Sequence, residues 1–238
     1  MKPFATQAAP NARTLRVLSH LLGYPDSELR LHLQDLREAL HAEQALSRQR
    51  LAEIDILVDR LQRADPLEAE ASYVELFDRG RGTALHLFEH VHGDSRDRGP
   101  AMVDLARSYE AAGLFQTAGE LPDHLPVVLE YASTQPPAQA REFLREFAHI
   151  LQAIFSALLR RQSAYASVLA ALLDLAGEPA QAVTLPPEET LDDSWAEPAA
   201  FGGCSTQGQS SPGQPQTIQI TKRPPAAGAA QPQPGARA

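Results

Sequence analysis

The sequence predicts an all-α fold: a single-domain bundle of helices followed by a disordered C-terminal tail. Three observations carry this. Apolar residues recur at intervals of three and four in one segment after another, the spacing that lines one helix face. β-Branched residues are sparse beside Leu, Ala, Arg, Glu and Gln, and aromatics make up only 6% of the 238 residues, which favours helix over sheet. No alternating strand pattern with hairpin turns occurs, and no internal repeat of about 20 to 50 residues. With 43% hydrophobic residues the chain can fill the core of one ordinary domain.

Residues 1–12 are polar, carry two prolines and read as a flexible N-terminal arm. The all-helical domain is expected over residues 13–177. Thr14 reads as the cap of a short helix with Leu15, Leu18 and Leu22 on one face, stopped by Gly23-Tyr24-Pro25. Asp26 or Ser27 caps the next helix, where Leu29, Leu33, Leu36 and Leu40 recur at heptad-like spacing. Leu51, Ile54, Val58 and Leu61 mark a third, and Asp65-Pro66 offers a cap and a first-turn proline to a fourth that carries Tyr73, Leu76 and Phe77. Short connections imply antiparallel neighbours. Further on, Pro136-Pro137 ends one helix and starts another whose face is Phe143, Phe147, Ile150, Leu151 and Ile154. Tyr165, Val168, Leu169, Leu172 and Leu173 form a last helix, with Gly177 at its C-cap. Residues 178–238 turn to Pro, Gly, Gln, Ser and Ala, a composition that cannot bury enough apolar surface to offset chain entropy, so they read as a disordered tail.

Charge and cysteine content narrow the partners. A net charge of −9 argues against a nucleic-acid backbone, whose recognition runs on Lys and Arg; a basic or apolar ligand fits better. One cysteine, Cys204, allows no internal disulfide and suits the reducing cytosol. Neither a signal-peptide pattern nor a run of about 18 apolar residues occurs, so a cytoplasmic protein without direct membrane insertion is expected.

The chemistry-bearing residues crowd the stretch Tyr73 to Ala132. His86-Leu87-Phe88-Glu89-His90 matches H-x-x-E-H, in which two histidines one helical turn apart hold zinc and the glutamate activates water. The match fixes three positions only, and His92 lies on a different helical face from the other two, so hydrogen-bonded histidines at a helix end are the simpler reading. Asp78-Arg79-Gly80-Arg81-Gly82 and Ser95-Arg96-Asp97-Arg98-Gly99 admit an anion or cofactor contact, or a local salt-bridge network fixing two turns. Neither is followed by Gly-Lys-Ser/Thr, so neither is a P-loop. At Glu120-Leu121-Pro122-Asp123-His124, Pro122 and Asp123 read as a helix start, where an aspartate satisfies unpaired N–H groups. Glu120 and His124 have no capping duty. An acid pair beside an imidazole at a helix mouth suits an incoming basic amphipathic peptide.

These same residues carry a family resemblance. The strings YVELFDRGR, LFEHVHGDSRDRG, AMVDL and ELPDHLPVVLEY, with LLGYPD near the start and the Trp195 segment, resemble the NarJ/NarW family of nitrate reductase assembly chaperones, within the TorD-like group of redox-enzyme maturation proteins. The resemblance covers about Leu15 to Phe201. It departs from the family pattern at His86, a position usually aliphatic. It implies a bundle of the TorD-like type and a protein that is not an enzyme. Such a chaperone binds the N-terminal segment of the apo catalytic α subunit of membrane-bound nitrate reductase and holds it competent for molybdenum cofactor insertion and membrane assembly. The resemblance places client binding at the elbow Glu120, Asp123 and His124, with Tyr73, Phe77 and Phe88 as apolar floor. Asp78, Arg79, Glu89, His90, His92, Arg96 and Arg98 are expected as turn clamps or cofactor contacts. No stably bound cofactor and no metal are expected, only transient contact with the molybdenum cofactor and with the insertion machinery. The alternatives are a zinc hydrolase built on His86, Glu89 and His90, or a helical scaffold that binds no client.

Overall fold

The computed structural model describes residues 11–93, 95–116 and 119–185, all within one compact unit, Met1–Glu188. The expected arm, apart from its last two residues, and the expected tail beyond residue 185 lie outside the described residues.

The described residues form ten α-helices and no strand, only one isolated β-bridge. α1 is Ala12–Leu21, α2 Ser27–Glu43, α3 Arg48–Arg63 and α4 Pro66–Tyr73, which runs on into a π turn at Val74–Asp78 and a 3-10 turn at Arg81–Thr83. α5 is Glu89–His92, α6 Arg98–Ala111, α7 Leu125–Thr134, α8 Pro137–Glu146, α9 Ala148–Arg160 and α10 Ala166–Ala176.

Local chemistry explains most of the boundaries. Asp26 caps α2 through the Leu29 N–H at 2.8 Å, Ser47 caps α3 through the Arg50 N–H at 3.2 Å, and Asp65 accepts from Leu67 and Glu68 with Pro66 in the first turn of α4. Thr14 is not the cap of α1. The helix starts two residues earlier, Asn11 holds the N-cap position without a side-chain bond, and Thr14 is buried. Its orphan N–H groups are met from a distance instead: the Glu43 carboxylate, at the end of α2, accepts from Arg13 and Thr14.

The π turn follows from close packing of the next turn. A Cβ at Gly80 would lie 2.5 Å from the Leu76 carbonyl and 2.3 Å from Thr83 Oγ1, so only glycine lets the chain fold back so tightly. Thr83 Oγ1 donates to the Leu76 carbonyl, and Arg161 to that of Glu75, so two carbonyls of the π turn are partnered.

The single helix expected after Pro137 is two. It breaks at Phe147, which lets Phe143 and Phe147 pack on each other at 5.3 Å and turn towards Tyr131 and Phe88, while Ile150, Leu151 and Ile154 are buried on α9. α10 is the centre of the bundle. It is apolar all round, buried from Ala166 to Leu173, and packs against α1, α3, α8 and α9. Gly177 ends it in the left-handed region at φ 81°. α1 packs between α2 and α7, and α7 against α8. Among the described residues no helix is long and apolar enough to cross a membrane.

Candidate functional site

Two stretches distant in sequence meet at the foot of α7. The Leu87 N–H donates to the Asp123 carbonyl at 3.0 Å and the Leu125 N–H to the Leu85 carbonyl at 2.8 Å, which puts His86 opposite His124 across the isolated antiparallel bridge. Their rings stand 5.0 Å apart. Residues 121–124 make a turn closed by the His124 N–H to the Leu121 carbonyl at 3.1 Å, and with Pro126 in its first turn α7 begins only at Leu125.

Asp123 therefore does not cap α7, contrary to the sequence expectation. The first-turn proline is Pro126, the N-cap position belongs to His124 without a side-chain bond, and the Asp123 side chain turns the other way. It is 0% exposed. Its Oδ2 accepts the Phe88 N–H at 3.1 Å and lies 3.6 Å from the Arg98 guanidinium, and its Oδ1 lies 3.5 Å from His86 Nδ1. Burial alone would raise the carboxyl pKa; His86, the Phe88 N–H and Arg98 outweigh it and hold the group below the usual carboxylate range. In turn Asp123 lifts the His86 imidazole above its ordinary value against the pull of burial. His124 moves the opposite way, lowered by burial and then by the charge of His86. The two neighbouring imidazoles, tilted 31° to one another, are thus shifted in opposite directions.

The expected turn clamps resolve into separate groups. Arg98 also reaches Glu89 at 3.3 Å, so Glu89, Arg98, Asp123 and His86 make one network. His90 Nε2 donates to the Ala84 carbonyl at 2.9 Å, and His92 packs edge-on against Phe88 at 5.8 Å. Arg79 pairs with Glu75 at the surface, a contact worth little in water. Arg96 is exposed, as is Asp78, which lies close enough to His124 to act on its charge. The H-x-x-E-H string does not occupy one helix, because His86 is in the bridge and α5 begins at Glu89. Among the described residues no group of three His, Cys, Asp or Glu could hold a metal ion.

Tyr73 and Phe77 are not surface residues. They are 6% and 4% exposed, packed with Tyr24 and Tyr165, and the Tyr73 hydroxyl donates to the Leu22 carbonyl at 2.7 Å. The apolar floor expected of them is core. Phe88 is half-buried against Phe147.

Glu120 and His124 instead form one wall of a groove of about 710 Å³ between α1, α2 and the start of α7. Leu29, Leu36 and Val127 supply apolar lining, and Asp26, Glu28, Asp35 and Glu130 join Glu120 as acids around it. A second hollow of about 360 Å³ continues it, sharing His20, Glu120, Val127 and Glu130 and adding Phe115, which is 82% exposed. Sequence reasoning missed His20, Val127, Glu130 and Phe115. One signal was available: Val127, Tyr131 and Thr134 repeat at helical spacing on the outer face of a helix whose inner face, Leu125, Val128, Leu129 and Ala132, already fills the core.

A family model and three relatives match this chain. A family model described as nitrate reductase delta subunit matches residues 24–171. The nitrate reductase molybdenum cofactor assembly chaperone NarJ of Escherichia coli K12 is 48% identical over 162 residues, 68% of this chain and 69% of that protein. The probable chaperone of the same description, NarW, from the same strain is 44% identical over 163 residues, 68% of each chain. The probable NarJ of Bacillus subtilis is 31% identical over 160 residues, 67% of this chain and 86% of that one. Among solved structures, a putative redox enzyme maturation protein from Archaeoglobus fulgidus aligns with a TM-score of 0.49 at 20% identity, over 70% of this chain and 94% of that one.

Proposed function

The chain belongs to the nitrate reductase delta subunit family, and from that premise we propose that it is a system-specific chaperone for a respiratory nitrate reductase. It binds the N-terminal segment of the apo catalytic α subunit and holds that subunit competent for molybdenum cofactor insertion and membrane assembly. It acts in the cytoplasm, catalyses no reaction and touches the client's cofactor and the insertion machinery only in passing.

One observation carries the reading: the acid-rimmed, apolar-lined groove walled by Glu120 and His124 at the foot of α7. An amphipathic helix with basic flanks fits such a groove, its apolar face on Leu29, Leu36 and Val127 and its bases towards Asp26, Glu28, Asp35 and Glu130. Folding a disordered segment on binding costs about 2 to 5 kcal/mol, so apolar burial must supply most of the affinity and added salt should weaken it only modestly.

Calorimetric titration with a synthetic peptide of the client's N-terminus tests this. Saturable binding that survives moderate salt is expected. No heat, or affinity that collapses over a moderate salt range, would count against the groove. The working domain is taken as residues 13–177, between an N-terminal arm and a C-terminal tail, so limited proteolysis of the full chain should leave a helical fragment ending near residues 177–180. A fragment protected beyond Phe201 would contradict that boundary.

A further inference from the structure

The segment from Ala84 to Ala111 is fastened to the bundle in an unusual way. α6 is 14 residues long yet buries only Leu105 and Tyr109, and Val103 on its outer side is 50% exposed. α5 buries none of its four residues. Leu85, Leu87, Leu105 and Tyr109 reach the core, and the polar contacts that orient this segment converge on residues 122–125. The Pro122 carbonyl accepts the Tyr109 hydroxyl at 2.9 Å, the Asp123 carbonyl accepts the Leu87 N–H at 3.0 Å, and the Leu125 N–H donates to Leu85 at 2.8 Å. The Asp123 carboxylate takes the Phe88 N–H and stands within 3.6 Å of Arg98, the first residue of α6, and within 3.5 Å of His86.

We infer that Asp123 is a positioning residue for the groove: its buried carboxylate clamps the segment 84–98 behind the elbow and so sets Glu120 and His124 on the groove wall, without touching the client. The role rests on the groove reading above. Three physical points support it. A fully buried carboxylate cannot contact a peptide laid in the groove, so any effect on binding must pass through its neighbours. A buried charge is tolerated only when it is paired and hydrogen-bonded, and every partner observed for this one comes from residues 86–98, none from α7 itself. The residue that follows it in the chain, His124, is a wall of the groove and its ring lies 5.0 Å from that of His86, so moving the clamped segment moves one face of the site.

The test uses the full chain. Asp123→Asn preserves shape and an acceptor for the Phe88 N–H but removes the charge that holds His86 and Arg98. Three readouts are taken: hydrogen exchange of the Leu87 and Phe88 amides, the NMR titration of the His86 ring, and calorimetry with a synthetic peptide of the nitrate reductase α subunit N-terminus. The expected result is a folded protein in which those amides exchange about tenfold faster or more, His86 titrates at lower pH, and affinity falls about tenfold. Adding His124→Ala in that background should cost less than in the wild type, because the imidazole has already been displaced. Unchanged amide exchange overturns the clamp. Faster exchange with unchanged affinity, or full additivity with His124→Ala, overturns the positioning role and leaves Asp123 as scaffold. Wild-type protein that binds no such peptide defeats the groove reading instead, and the exchange arm, which needs no peptide, then decides the clamp alone.

Discussion

The bundle around α10 and the segment from Ala84 to the foot of α7 are held together by different physics. Around α10, Leu169, Leu172, Leu173, Leu151, Ile154, Leu57 and Leu18 are at most 2% exposed and interlock without any charged group among them. In the segment 84–125 the apolar anchors are fewer, Leu85, Leu87, Leu105 and Leu125, and a two-bond bridge, one buried carboxylate, a tyrosine hydroxyl and two half-exposed histidines work beside them. The first region owes its order to apolar area, which is non-directional and cumulative. The second adds to a smaller apolar anchor a few polar contacts, each of which must be made in full or becomes a cost. The comparison implies that stability and recognition are separable here. Five substitutions probe that separation, from the largest expected effect on stability to the smallest.

Leu172→Ala should cost about 2 to 5 kcal/mol, measured by chemical denaturation, because a fully buried leucine in a close-packed centre leaves a cavity. The folded fraction should still bind the client peptide with wild-type affinity. Loss of binding in step with stability would merge the two regions into one.

Asp123→Ala should cost less, about 1 to 3 kcal/mol, since it orphans the Phe88 N–H and strips His86 and Arg98 of their shared partner. Its cost should depend on pH. The folded pKa of Asp123 is depressed, so its contribution is present above the ordinary carboxylate value and lost as pH falls through the folded one. The folded pKa of His86 is raised, so its contribution is present below its ordinary value and lost as pH rises through the folded one. The gap between wild type and variant should therefore be widest between about pH 4 and 6.5 and narrow on both sides. A gap independent of pH would show that the charges do not matter.

Glu43→Ala should cost about 0.5 to 2 kcal/mol, the range for losing a helix cap, because its carboxylate closes the N-terminus of α1. It belongs to the bundle, so peptide affinity should hold while the melting temperature drops. A melting temperature equal to the wild type's would mean that solvent caps α1 equally well.

Local rules written into adjacent residues were legible, and contacts across the chain were not. The heptad of α2, the Asp65-Pro66 start of α4 and the Gly177 stop of α10 each depend on residues within a turn of one another, and each stands where the pattern put it. Capping of α1 by Glu43 joins residues about 30 apart, so Thr14 looked like the better cap. Tyr73 and Phe77, expected on the apolar floor of the site, are buried in the core with Tyr165. Within the site, Glu120 and His124 were legible because no local duty accounted for them. The bridge between His86 and His124 was not, since a two-residue pairing has no periodicity to read. For the same reason Asp123 passed for a cap. Only the fold shows that its partners lie on the segment 84–98.

At the smallest end of the stability scale stand Glu120→Gln and His124→Ala. Glu120 is exposed and His124 has no side-chain cap bond, so each should shift stability by no more than about 0.5 kcal/mol. The most direct test of the account is thermal melting and peptide calorimetry run side by side on these two variants and on Leu172→Ala. The account predicts a crossed pattern: the elbow variants melt like the wild type and bind the client peptide more weakly, while Leu172→Ala melts early and binds normally. Elbow variants that melt early and bind at full affinity would contradict it, and would make the foot of α7 a structural joint rather than the client's site.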